Sequence, residues 1–212
     1  MTIKLSGGGK RFNREWIFRN ADLSFTSGSS YAITGPNGSG KSTLLQAIGG
    51  MLQLSEGMIR YTDASTNILQ TPYKAISFCA PYLEVIEELT LLEFLQFHQQ
   101  FKKFISGLSV SDVIEIVGLK AAAQKQIRLY SSGMKQRVKL AQAILSDTPV
   151  LLLDEPCTNL DSTGIQLYHS LIETYCKNRL VLVCSNDEVE YRFCTERISV
   201  LDFKGSPDRK RL

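Results

Sequence analysis

Residues 30 to 50 read SYAITGPNGSGKSTLLQAIGG, and this stretch constrains the chain more than any other. SYAIT reads as a strand, and KSTLLQAI as a helix stopped by Gly49 and Gly50. Between them lie Gly35, Pro36, Asn37, Gly38, Ser39 and Gly40, followed by Lys41, Ser42 and Thr43. Three glycines in six residues lose much backbone entropy on folding, so the turn implies a compensating ligand. The run fits G-x-x-x-x-G-K-[ST], which average usage would produce by chance in about one chain of this length in a hundred. Glycines let amide N–H groups turn inward and approach phosphate oxygens without a Cβ in the way. The helix start at Lys41 adds the positive end of its dipole. In such a loop Lys41 reaches the β- and γ-phosphates, and the Ser42 hydroxyl is a candidate ligand for Mg²⁺.

About a hundred residues later the apolar run VLLL ends in Asp154 and Glu155. Beside a phosphate-binding loop, Asp154 is a candidate to hold Mg²⁺, directly or through water. Glu155 is ionised at neutral pH and is placed to polarise an attacking water.

The rest of the chain fits an α/β fold with a largely parallel sheet. SYAIT, AISFCA, PVLLLDE, LVLVCSN and RISVLDF read as strands, several apolar throughout, as strands buried on both faces are. DSTGIQLYHSLIETYCKN reads as a helix with Asp161 as its cap. Residues 88 to 146 read as a helical insert in a single domain spanning 1–212, with the core at about 1–87 and 147–212. His98 falls at helical spacing with Leu91, Phe94, Leu95 and Phe101, as a packed or half-exposed helix residue rather than a ligand. The opening 30 residues read as an antiparallel β layer carrying Phe12, Trp16, Phe18 and Phe25. Apolar residues make up 43% of the 212, enough for a large core.

The net charge of +3 is too small to argue for nucleic acid, and no nucleic-acid partner is expected. No apolar run approaches a membrane span, and the start MTIKLSGGGKRFNREW has no hydrophobic signal region. A cytoplasmic location is therefore expected. Cys79, Cys157, Cys176, Cys184 and Cys194 form no CxxC pair and read as reduced, mostly buried thiols. With only His98 and His169, a histidine-based metal site is not expected.

With both nucleotide motifs in place, the sequence resembles the ATP-binding cassette (ABC) ATPases over nearly its whole length. YSSGMKQR, residues 130 to 137, resembles a degenerate form of the family signature LSGGQ, with Ser132 and Gly133 kept. TNLD, 158 to 161, resembles the family's D-loop, which brings Asp161 into the site. Phe12 stands 23 residues before Gly35, where the family stacks an aromatic ring on adenine. The resemblance implies binding of ATP with Mg²⁺ and hydrolysis. It also implies a head-to-tail dimer, with a second copy or a paralogous cassette subunit, in which Ser132 and Gly133 close on ATP held by the other molecule. Separate transmembrane subunits would hold the protein on the inner face of the membrane. The helical insert and the APYLEVIEELT loop are the expected docking face, and the short signature resembles those of exporter-type cassettes. Lys135, Arg137 and Lys139 read as a solvated helix face, and the tail SPDRKRL as a frayed solvated end with no further regulatory domain after it.

Two positions depart from the family pattern. The glutamine expected after ISFCA is absent; Pro81 falls there, and either Glu84 or water is left to fill the metal position. At the switch position, where the family has histidine, Asn186 stands. Its amide can donate to a γ-phosphate but carries no charge, which implies slow hydrolysis, with Glu155, Asn186 and Lys41 as the catalytic set. The alternatives are an ATP-binding regulatory or weakly hydrolysing partner in an asymmetric cassette dimer and, more remotely, a soluble cassette ATPase outside transport.

Overall fold

In β6 (Val150–Asp154) and β7 (Leu180–Cys184) every residue is buried. Strands of this kind belong at the centre of a sheet covered on both faces. A computed structural model, which describes residues 1–204, places them there. A five-stranded parallel sheet runs β5-β6-β7-β3-β8, adding β3 (Ser30–Thr34), β5 (Ile76–Cys79) and β8 (Glu196–Ser199). Successive side chains of these strands feed different cores, because a strand's side chains alternate faces. Val150, Leu152, Leu180, Leu182 and Ile33 join one cluster with Phe18, Phe25, Leu44 and Ile48. Leu151, Leu153, Val181, Val183 and Ala32 join the other, with Leu91, Leu95, Val138 and Ile144.

The first cluster is closed by α1 (Lys41–Ile48) and by an antiparallel sheet of order β2-β1-β4. That sheet consists of β1 (Thr2–Phe12), β2 (Glu15–Thr26) and β4 (Glu56–Thr62). The opening 30 residues supply two of its strands; the third comes from beyond α1, where EGMIRYT pairs with β1 in the register Ile3↔Tyr61 and Leu5↔Ile59. Phe18 and Phe25 are fully buried, whereas Phe12 remains exposed.

The second cluster is covered by α2 (Leu91–His98), α3 (Val110–Ile116), α4 (Ser132–Ile144) and α5 (Ser162–Tyr175). Capping boxes start α2 and α3. Thr90 and Glu93 exchange side-chain and backbone hydrogen bonds, as do Ser109 and Asp112. Asp161 caps α5, its Oδ1 accepting from the Gly164 amide at 2.7 Å. His98 is half-buried, bonded to the Ser146 hydroxyl at 2.8 Å and beside the Phe104 ring.

RISVLDF does not remain extended. β8 ends at Ser199, whose hydroxyl accepts from the Leu201 amide, and Val200–Phe203 forms a 3-10 turn that drives Val200 into the core. A solvent-facing edge strand has no second partner to prolong it. All five cysteines are free. Burial raises their thiols well above the ordinary range, Cys176 to about 11, and so keeps them protonated and inert. Among the described residues no helix is long and apolar enough to cross a membrane. The tail reading of SPDRKRL lies outside the described residues.

Candidate functional site

The glycine loop occupies the C-terminal end of β3 and runs directly into α1. Gly35, Gly38 and Gly40 have φ of +147°, +75° and +103°, a region that side chains disfavour. At Gly40 space is restricted too: a Cβ there would lie 2.4 Å from Ile17 Cγ2, and one at Gly35 would lie 2.7 Å from Val200 Cγ1. β2 and the turn after β8 therefore wall the loop from two sides. The Ser39 amide donates to Pro36 O at 3.0 Å, closing the turn. Lys41 is buried, and its ammonium donates to Gly35 O at 2.8 Å and Pro36 O at 3.3 Å. A lysine curled over the loop in this way holds its charge where a phosphate would enter. The Ser39 hydroxyl, also buried, has no hydrogen-bond partner.

Parallel pairing brings Asp154 to the same edge, with Asp154↔Cys184 and Ile33↔Cys184 in register across β7. Asp154 is only 2% exposed, and neither carboxylate oxygen is hydrogen-bonded. Burial chiefly raises its pKa, and the negative charge of Glu155 adds to this; the nearby Ser42 and Tyr82 hydroxyls and Lys41 oppose it. A buried carboxylate lacking partners, beside a hydroxyl, is an oxygen donor set that suits Mg²⁺. This ion takes one or two carboxylates and completes its shell with water and phosphate. No group of three or more His, Cys, Asp or Glu among the described residues forms a protein-only metal cage. The residues present thus fit a metal shared with a phosphate ligand.

Glu155 leaves the strand with φ of +43°, its amide donating to Cys184 O at 2.9 Å. Two buried side chains brace the turn that follows. Gln136 Nε2 donates to Pro156 O at 2.7 Å, and the Cys157 amide donates to Glu190 Oε1 at 2.7 Å. Asn186, after β7, donates from Nδ2 to Asn37 Oδ1 at 2.7 Å. This bond ties the switch position to the loop tip. Phe12 pairs with Glu15, which shares a strand face with Ile17, the residue over Gly40. Its ring is 48% exposed, with the Lys10 ammonium 5.0 Å from its centroid.

The structure thus gathers Gly35, Pro36, Asn37, Gly38, Ser39, Gly40, Lys41, Ser42, Thr43, Asp154 and Asn186 around one loop. Ser132, Gly133 and Asp161 do not join them. They line a separate cleft of about 500 Å³ together with Ser131, Arg137 and Asn159. Ser131, not Ser132, caps α4, its hydroxyl accepting from the Met134 amide at 3.2 Å. That leaves the Ser132 and Gly133 amides at the open start of a 13-residue helix. Asp161 is exposed but engaged within its own chain, as the cap of α5 and as the partner of Arg137 at 3.5 Å.

The reading of Lys135, Arg137 and Lys139 as a solvated face is corrected. Lys135 pairs with Glu87 at 2.6 Å, Arg137 with Asp161, and Lys139 donates to Pro81 O at 2.9 Å. Long cationic side chains lie along their neighbours' surfaces and place their heads on acceptors there. Glu84, offered as a substitute for the absent glutamine, remains exposed. Sequence reasoning missed Ile17, Tyr82, Gln136 and Glu190. Their roles come from contacts between distant segments; Gln136 lies in YSSGMKQR and Tyr82 in APYLEVIEELT, but neither run shows which distant group its side chain meets. Ser131 was within reach, since a serine opening a helical run is a cap signal.

A family model described as ABC transporter matches residues 18–158, and the chain belongs to that family, among its ATP-binding proteins. It is 34% identical over 187 residues to the uncharacterized ABC transporter ATP-binding protein YhcH of Bacillus subtilis (strain 168), covering 85% of this chain and 61% of that one. It is 31% identical over 199 residues to the cytochrome c biogenesis ATP-binding export protein CcmA of Rhizobium etli, covering 92% of each. Among solved structures, the ATP-binding cassette MJ0796, in a dimeric post-hydrolysis state bound to ADP and Pi, superposes with a TM-score of 0.77 at 28% identity over 93% of both chains.

Proposed function

We propose that this chain binds and hydrolyses ATP as the cassette subunit of a membrane transporter, an exporter, and that ATP drives closure of a dimer. One observation carries the reading. The Asp154 carboxylate is buried with neither oxygen partnered, beside Ser42 and the Lys41 loop. A fold retains an uncompensated carboxylate mainly where something binds it.

In this reading the loop amides and Lys41 hold the β- and γ-phosphates, with Phe12 against the adenine. Ser42 and Asp154 would hold Mg²⁺, which supplies neutralisation of phosphate charge when bound. Glu155 accepts a proton from the attacking water, held on its turn by Gln136 and Glu190 through the backbone. Asn186 donates an amide N–H in place of a charged group, so turnover is slow. Ser132 and Gly133 offer helix-start amides to a nucleotide held by a second copy or a paralogous cassette. The dimeric ADP- and Pi-bound MJ0796 cassette supports that arrangement, and CcmA, named as an export protein, supports the direction. Residues 1–212 act as one domain with the 88–146 helical insert, which docks on separate transmembrane subunits at the inner face of the membrane.

The test is Glu155→Gln with ATP and Mg²⁺. Hydrolysis should fall by about 10²–10⁴-fold, and light scattering should show a nucleotide-dependent dimer. A strictly monomeric species that still binds ATP would overturn the closure model. The second reading, a regulatory partner with negligible turnover, is favoured by the Asn186–Asn37 bond, which occupies the switch amide within the chain. Single-turnover hydrolysis by the unmodified protein separates the two.

A further inference from the structure

The end of β5 supplies a group that the sequence motifs do not. Cys79 pairs with Leu153 in the parallel register, so the chain leaving β5 passes beside Asp154. It then turns: the Leu83 amide donates to Ala80 O at 3.2 Å, and Lys139 from α4 donates to Pro81 O at 2.9 Å, pinning the bend from the opposite side. Tyr82 projects from that bend, its ring 6.5 Å from the ring of Phe78. Its hydroxyl lies near two side chains, Gln46 and Asp154, with no hydrogen bond yet formed to the Asp154 carboxylate. Gln46 lies one helical turn beyond Ser42 on α1, so the two share a helix face. Ser42, Gln46, Asp154 and Tyr82 therefore form one cluster, drawn from α1, β6 and the β5 bend.

We propose that Tyr82 is the positioning residue of the Asp154–Ser42 pair, placed at the end of β5 where the family's glutamine is absent. A phenol is both acceptor and donor. When a metal–phosphate ligand engages the pair, its oxygen would accept from the Gln46 amide and its O–H would donate to the Asp154 carboxylate. Such a polarised chain would fix which carboxylate oxygen faces Ser42. Pro81 cannot do this, having no side-chain donor, and Glu84 is exposed. Because a tyrosine at 46% exposure is partly open to water, the cluster remains accessible to a metal–phosphate ligand. The inference rests on the reading of Asp154 and Ser42 as the metal-binding pair of a nucleotide site.

The test uses the full chain with ADP and Mn²⁺ as a spectroscopic substitute for Mg²⁺, followed by electron paramagnetic resonance. Tyr82→Phe should weaken Mn²⁺ uptake in the presence of ADP by about tenfold, in line with the effect of residues that orient a metal ligand. ADP affinity in excess chelator should not change. Tyr82→Gln should restore most of the Mn²⁺ affinity, and Gln46→Ala should reproduce part of the loss. Equal Mn²⁺ uptake by wild type and Tyr82→Phe would overturn the proposal. So would a parallel loss of metal-free ADP binding, which would make Tyr82 merely structural. A wild-type protein that binds no ADP, with or without metal, would instead sink the nucleotide reading itself, and this inference with it.

Discussion

The Gly35–Ser42 loop and the Ser131–Gly133 cleft both end at the start of a helix, yet they are finished differently. In the loop, Lys41 bonds carbonyls of its own turn, and Ile17 and Val200 close the space behind the glycines. In the cleft, one cap hydroxyl serves Met134, Arg137 is drawn to Asp161, and the first amides face an open volume of about 500 Å³. The loop's turn and its lysine come from one segment, with β2 and the turn after β8 backing it. The cleft, which the proposed function reads as half of a site shared with a second cassette, is assembled from the turn after α3, α4 and residues 159–161, and its lining has no cation left over once Arg137 is paired. A helix N-terminus alone binds an anion weakly in water. The cleft is therefore suited to a ligand already held elsewhere.

Paired substitutions test this contrast most severely. Gly40→Ala puts a methyl group 2.4 Å from Ile17 at φ +103°, which should cost about 1–3 kcal/mol and abolish ADP binding by calorimetry. Gly133→Ala has an ordinary φ and meets only the Asn159 carbonyl, at 3.0 Å. It should leave ADP binding by the isolated protomer intact and remove the ATP-dependent dimer of the Glu155→Gln background. Loss of ADP binding in both would erase the distinction.

A smaller effect is expected from the cap. Ser131→Ala removes the acceptor of the Met134 amide and should destabilise by about 1 kcal/mol in denaturant unfolding. Nucleotide affinity of the cradle should not move, because the lost bond lies at the start of α4, more than a turn before Gln136 and Lys139, whose contacts with Pro156 and Pro81 remain.

A pH dependence is expected in the helical insert, away from the cleft. Burial, aided by the Lys102 charge, lowers the His98 pKa from 6.5 to about 4. Between those values the unfolded chain binds a proton that the folded chain refuses, so stability is full above pH 6.5 and declines as pH falls toward 4. Denaturant unfolding at pH 7 and pH 5 should show a smaller difference in His98→Gln than in wild type. An identical difference would mean that the His98–Ser146 contact does not anchor the insert in this range.

Much of the fold was legible because its signals are local. β6 and β7 are uninterrupted apolar runs, and α1 begins and ends at glycines. Asp161, the expected cap, precedes its helical run by one residue. The third strand of the antiparallel layer was not legible, since EGMIRYT pairs across α1 with β1 and only that pairing hides Tyr61. The end of β8 was not legible either, because RISVLDF is apolar enough to continue, and its edge position, the Ser199 cap and the packing of Val200 behind Gly35 turn it. Lys135, Arg137 and Lys139 illustrate a third limit. Charge at alternating positions says nothing about acceptors, and these came from Glu87, Asp161 and the Pro81 carbonyl.

The sequence by itself determined the phosphate cradle and the Asp154–Glu155 strand end. Both depend on residue types whose backbone freedom, charge and hydrogen-bonding capacity are intrinsic to a few consecutive positions. Only the tertiary structure decided what surrounds them: Ile17 over Gly40, Asn186 on Asn37, Gln136 and Glu190 behind Glu155, and Tyr82 at Asp154. Those partners are brought together by sheet register and helix packing, which depend on the whole chain and leave no local pattern at the positions they join.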